Sequence, residues 1–169
     1  MKALEFILAD LSDLLYKEFD IYRSLLSLLQ EERRIIVDCS IEDLIQTNKE
    51  KENLVLKIRI LEQSREGILE KLADRIGLSS DELTLSTLEE RLKEPFATQL
   101  QTLRSNLSAI LQSIREVNEE NRVFLQHSVD FVKGSLALIR YLTVSSPKYV
   151  ASGALNGDRW DGRFVSKKA

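Results

Sequence analysis

Proline and glycine are scarce in this chain: 169 residues hold two prolines and six glycines. Gly134, Gly153, Gly157, Gly162 and Pro147 all fall in the last quarter, so residues 1–133 carry almost no helix breakers. Cys39 is the only cysteine, which excludes an internal disulfide and agrees with a reducing compartment. His127 is the only histidine. Neither charge sign dominates, because 24 basic and 27 acidic side chains are interspersed to a net charge of −3. No concentrated basic face exists to displace counterions from phosphates, so nucleic acid is not an expected partner. No apolar run approaches the ~20 residues of a bilayer span, and the first residues lack the charged region, apolar block and small-residue cleavage site of a secretory signal. The expected location is the cytoplasm, with no integral membrane segment.

What the chain does have is helical periodicity. Leu, Glu, Arg, Lys, Ser and Gln dominate, and 43% of residues are hydrophobic, enough for the core of one all-α domain. The longest uninterrupted pattern runs from Pro95 to about Thr143. Alternating steps of four and three from Phe96 reach Leu100, Leu103, Leu107, Ile110, Ile114, Val117, Asn121, Phe124, Ser128, Phe131, Ser135, Leu138 and Leu142. One column of this seam stays apolar while the other turns small and polar at Asn121, Ser128 and Ser135. Leu111, Leu125, Val132 and Ile139 compensate alongside, a sideways drift expected of a helix of about 3.6 residues per turn set against a seven-residue repeat.

Two further long helices are predicted before it. Lys2 to about Val37 repeats Leu and Ile at three- and four-residue steps, and Ile41 to Ile76 does so more sparsely. Ser40, with Asp43 three residues on, reads as the N-cap of the second, and Gly77 as its left-handed C-cap. Asn48, Lys51, Glu62 and Arg65 lie close to the seam of the second helix and read as long side chains whose stems cover apolar surface. Ser86 and Glu89 have capping-box spacing and predict a short helix to Glu94, with Leu88 and Leu92 closing the bundle end and Pro95 opening the last helix in its first turn. The fold class is thus all-α: an antiparallel bundle of three long helices plus one short helix over residues 1–143, then a flexible polar C-terminal tail over 144–169. At about 1.5 Å per residue the last helix, roughly 73 Å long, outruns partners of roughly 54 Å. Its residues beyond Phe131 either remain uncovered or fold back through a bend at Gly134.

Catalytic signatures are missing. A di-iron carboxylate bundle needs Glu-x-x-His pairs, and Phe124 stands where the glutamate before His127 belongs. Nothing near Cys39 or His127 activates a thiol in a recognisable way, and there is no phosphate-binding glycine loop or zinc spacing. Neither an enzyme nor a cofactor is expected.

The run Val117-Asn118-Glu119-Glu120-Asn121-Arg122-Val123-Phe124-Leu125-Gln126-His127-Ser128-Val129-Asp130-Phe131, followed by Tyr149 and Gly153 in a polar tail, resembles the FlgN family of bacterial flagellar export chaperones. The layout over residues 1–153 is similar in plan, and Leu88-Glu89-Glu90 matches the family's short helix. The chain departs in the tail, where Val150 follows the tyrosine. The resemblance implies a cytoplasmic chaperone that binds the C-terminal helix of hook-associated (hook-filament junction) proteins and presents it to the type III export gate. Its paired asparagines map onto Asn118 and Asn121, and its gate-contacting tyrosine onto Tyr149. The expected client-binding set is Asn118, Asn121, Phe131, Val132, Leu138, Ile139 and Leu142. For the two asparagines a second reading stands beside client contact, since polar seam residues often fix helix register. A homodimer is compatible with the pattern, and the alternative function is a structural coiled-coil scaffold or self-assembling oligomer.

Overall fold

A computed structural model describes residues 2–77 and 83–144. Four helices follow in order: α1 (Lys2–Asp38), α2 (Ile41–Ile76), α3 (Leu85–Arg91) and α4 (Phe96–Val144). No strand occurs among the described residues. The expected bundle elements are all present, within a few residues of their predicted bounds. Tyr149, Gly153, Trp160, Phe164 and the rest of the predicted tail from residue 145 onward lie outside the described residues, while Val144 is the last residue of α4.

Local chemistry explains each boundary. α1 stops because Cys39 adopts a left-handed conformation, φ 55°. The Cys39 and Ser40 amides then donate to the carbonyls of Ile36 and Ile35, both at 3.3 Å, which is the Schellman pattern usually built on glycine. Ser40 occupies the predicted N-cap position of α2, but its hydroxyl donates to Asp43 Oδ2 at 2.6 Å instead of accepting from a backbone amide. Gly77 ends α2 at φ 74°, its amide bound to the Ala73 carbonyl, as its lack of a Cβ permits.

The capping box of α3 is Thr84 with Thr87, in place of the expected Ser86 and Glu89. Glu89 instead reaches Arg104 of α4, whose Nε donates to it at 2.9 Å. α3 ends at Arg91, three residues short of Glu94, and Pro95 sits just ahead of α4, offering its carbonyl to the Gln99 amide at 3.2 Å.

The chain divides into two compact units, Met1–Leu125 and Gln126–Ala169. In the first, α1 and α2 are antiparallel: Glu18 meets Arg65, Tyr22 meets Glu62 and Glu32 meets Lys51, so residue numbers fall on α2 as they rise on α1. Leu8, Leu11 and Leu15 of α1 share a core with Leu72 and Ala73 of α2 and with Leu100, Leu103 and Leu107 of α4. Further along α1, Leu29 and Glu32 meet Asn121 of α4. These contacts make α4 parallel to α1 and antiparallel to α2. Leu88 of α3 is fully buried in the same core, as predicted.

Lys51, Glu62 and Arg65 do more than cover apolar surface. Each meets a buried side chain of α1, forming a polar ladder down the α1–α2 contact. Glu18 is fully buried; one carboxylate oxygen takes the Arg65 guanidinium at 2.6 Å and the other, Oε1, has no hydrogen-bond partner among the described residues. Desolvation raises the Glu18 pKa above the usual carboxylate value, and Arg65 opposes that shift.

Candidate functional site

Two features of α4 bear on the predicted site, a buried polar contact and an exposed apolar face. Asn121 is 2% exposed. Its amide donates to the Leu29 carbonyl at 2.7 Å and to Glu32 Oε2 at 3.1 Å, while its own Oδ1 is buried without a partner among the described residues. Glu32 is itself buried and holds Lys51 of α2 through its other oxygen. Asn121 therefore ties α4 to α1, and α1 in turn to α2, at one level of the bundle. Its side chain is thus engaged inside the bundle. Asn118, one turn earlier, is exposed.

Past Leu125 the burial pattern changes. α4 continues without a break through Gly134 to Val144, and the apolar residues past the glycine stay exposed instead of folding back onto the core. Phe131 is 77% exposed and Leu142 64%, while Val132, Leu138 and Ile139 are each more than half exposed. Leu136 and Tyr141 are exposed as well. The small seam residues separate these side chains: Ser135 folds its hydroxyl back onto the Phe131 carbonyl at 2.9 Å, which satisfies it within the helix. Charges stay off this stripe, since Asp130, Lys133 and Arg140 fall on the opposite side of the helix at 100° per residue. The result is an apolar strip one helix face wide, with shallow steps at Ser128 and Ser135.

The predicted apolar residues are thus brought together on one face, and Asn121 is separated from them by burial. Sequence reasoning missed the partners of Asn121. The only available signal was a polar residue at a seam position, which looks the same whether it is enclosed or wet.

No histidine, cysteine, aspartate or glutamate cluster able to hold a metal exists among the described residues. Cys39 is exposed, its thiol directed at the backbone carbonyls of Ile36 and Val37 at 3.7 and 3.8 Å, and His127 is exposed too. Among the described residues neither has the base and orienting group that nucleophilic catalysis requires.

The sequence model of the FlgN protein family matches residues 1–157. This chain belongs to the FlgN family. It is a flagellar export chaperone by membership, and the resemblance drawn from the Val117–Phe131 run extends over nearly the whole sequence. No curated protein and no solved structure matches the chain. No described helix of this FlgN-family chain is long and apolar enough to cross a membrane.

Proposed function

We propose that this FlgN-family chain binds the C-terminal amphipathic helix of hook-associated flagellar proteins in the cytoplasm and delivers them to the type III export gate. The observation supporting this reading is the apolar strip formed by Phe131, Val132, Leu138, Ile139 and Leu142, each at least half exposed on an unbroken helix. Such a strip is half of a helix-in-groove interface. Covering its side chains at about 25 cal/mol per Å² contributes several kcal/mol before the costs of association, which gives reversible capture. Reversibility is what a carrier that must release its cargo needs. Asn118 is assigned client contact from the family resemblance, and Asn121 holds α4 against α1. Tyr149 is assigned the gate contact from the family resemblance.

The test is titration calorimetry of the full chain with a peptide spanning the C-terminal helix of a hook-associated protein. Phe131→Asp with Leu138→Asp is expected to weaken binding by at least tenfold. Tyr149→Ala is expected to leave peptide binding unchanged and to lose retention of the export-gate component. Peptide binding that survives the double aspartate substitution would refute the docking face.

A further inference from the structure

We propose that the segment following α4 turns back within its own molecule and covers the apolar strip, seating Trp160 and Phe164 on it until a client displaces them. The covering itself is independent of the client reading; its effect on client capture rests on that reading. The last 25 residues, 145–169, have the composition of a linker, with Ser145, Ser146, Pro147, Ser152, Gly153 and Gly157. They nevertheless hold Phe164 and the chain's only tryptophan, Trp160. Polar segments with nothing to dock against are poor in aromatics, because such rings contribute only where apolar surface is buried. The apolar surface next to this segment in sequence is the strip, where Phe131 is 77% exposed and Leu138 59%. Charge favours a return to the body as well. Residues 145–169 carry five basic and two acidic side chains, a net +3, against 19 basic and 25 acidic, a net −6, in residues 1–144.

The dimensions agree. Ser128 and Ser135 form the two shallow steps of the strip, about 10.5 Å apart along α4. Trp160 and Phe164, four residues apart with Gly162 between them, span up to about 13 Å when extended. One ring therefore reaches each step when the tail runs antiparallel to α4, with Trp160 at Ser135 between Phe131 and Leu138. The Ser135 hydroxyl is already bonded to the Phe131 carbonyl, so a ring placed over it strands no donor. Ser135 lies about 13.5 Å back along the helix from Val144. The 15 residues from Ser145 to Arg159 have an r.m.s. span of roughly 21 Å, which turns the chain and reaches that step without stretching it. Tyr149 falls near the turn and is not an anchor.

Two rings bury about 150–250 Å² each, far less than a free-standing interface needs. Tethering makes up the difference, since a short linker matched to its span gives an effective concentration on the order of 1 mM. A contact with a Kd of about 0.1 mM then keeps the strip covered roughly nine-tenths of the time, and a client's apparent affinity falls about tenfold. The strip is thereby kept from water when empty, and only a helix that fills more of it displaces the tail.

Because Trp160 is the only tryptophan, its fluorescence reads the contact directly. The experiment compares the emission maximum and acrylamide quenching of the full chain, with no client present, with those of a peptide of residues 145–169. The full chain is expected to show blue-shifted emission and several-fold weaker quenching at every protein concentration. Phe131→Asp with Leu138→Asp is expected to return both to the peptide's values. Neither residue belongs to the core, so that variant should keep the helical circular dichroism and urea midpoint of its parent. Quenching equal to the peptide's overturns the proposal. So does shielding that survives the double substitution, which puts the tail elsewhere, and shielding that grows with protein concentration, which puts it on a second copy. In calorimetry with the client-helix peptide, Trp160→Ser with Phe164→Ser in the full chain is expected to tighten binding about tenfold. Unchanged peptide affinity in that variant, beside a Trp160 shielded by the strip in the parent, would overturn the competition and with it the client site assigned there, while the covering would stand.

Discussion

Replacing Asn121 probes whether the bundle is fixed by the contact at the only buried asparagine among the described residues. Asn121→Ala removes a hydrogen bond to the Leu29 carbonyl and one to the buried Glu32 carboxylate. A neutral bond contributes about 1 kcal/mol and one to a charged group about 1.5–3 kcal/mol. Loss of the unsatisfied Oδ1 returns part of this, so a net destabilisation of about 2 kcal/mol is expected, roughly 4–8 °C in Tm for a chain of this size. Asn121→Asp keeps the shape but turns the donor into an anion facing Glu32 and a carbonyl. A buried charge without a partner costs about 3–5 kcal/mol, so this variant should be the least stable at pH 7 and should recover as the pH falls and a proton is taken up. Urea unfolding followed by circular dichroism at pH 7 and pH 5 measures both differences. A double-mutant cycle with Glu32→Gln then isolates the coupling. If Asn121→Asp is no less stable than Asn121→Ala at pH 7, Asn121 does not act as a buried donor and the register argument is wrong.

Two further predictions concern α1. Burial, then the neighbouring Glu62 and Glu18 carboxylates, push the Tyr22 phenol up to about 12. The unfolded chain ionises near the usual value of about 10 while the native state keeps its proton, so the stability tied to Tyr22 is complete below pH 10 and is lost as pH rises toward 12. Tyr22→Phe should flatten this part of the stability profile measured by urea midpoints, and an unchanged alkaline slope would refute the assignment. At the end of α1, Cys39→Gly relieves a left-handed non-glycine residue and should stabilise the bundle by up to about 1 kcal/mol, less the extra entropy glycine gives the unfolded chain. A fall in the urea midpoint would count against strain at that turn.

The helices were readable because apolar side chains repeat at helical steps and their ends carry local signals such as Gly77. What needs contact between distant residues was not. Lys51, Glu62 and Arg65 appear as ordinary surface charges along α2, and only antiparallel packing against α1 gives each a partner. Two capping boxes competed within three residues: Ser86 with Glu89 matches the commoner pattern, but Arg104 of α4 engages Glu89 and the helix starts from Thr84. Cys39 ends α1 in a conformation normally left to glycine, so its own identity gave no warning. The apolar surplus after Phe124 was visible from the seam itself, since uncovered residues there need no partner to be recognised. Asn121 was legible as a break in that seam but not as an enclosed group, because enclosure depends on α1.

The polar ladder between α1 and α2 has a consequence for how the hairpin finds its alignment. Leucine-rich surfaces tolerate sliding by one helical turn, about 5.4 Å, because each leucine finds another to replace the one it left. Here such a slip would pull Arg65 from Glu18 and Lys51 from Glu32 together, stranding two enclosed carboxylates at once. Misaligned hairpins are therefore selected against by electrostatics even where their greasy contacts are nearly as good. The ladder thus serves less to add stability to the correct hairpin than to deny it to its neighbours.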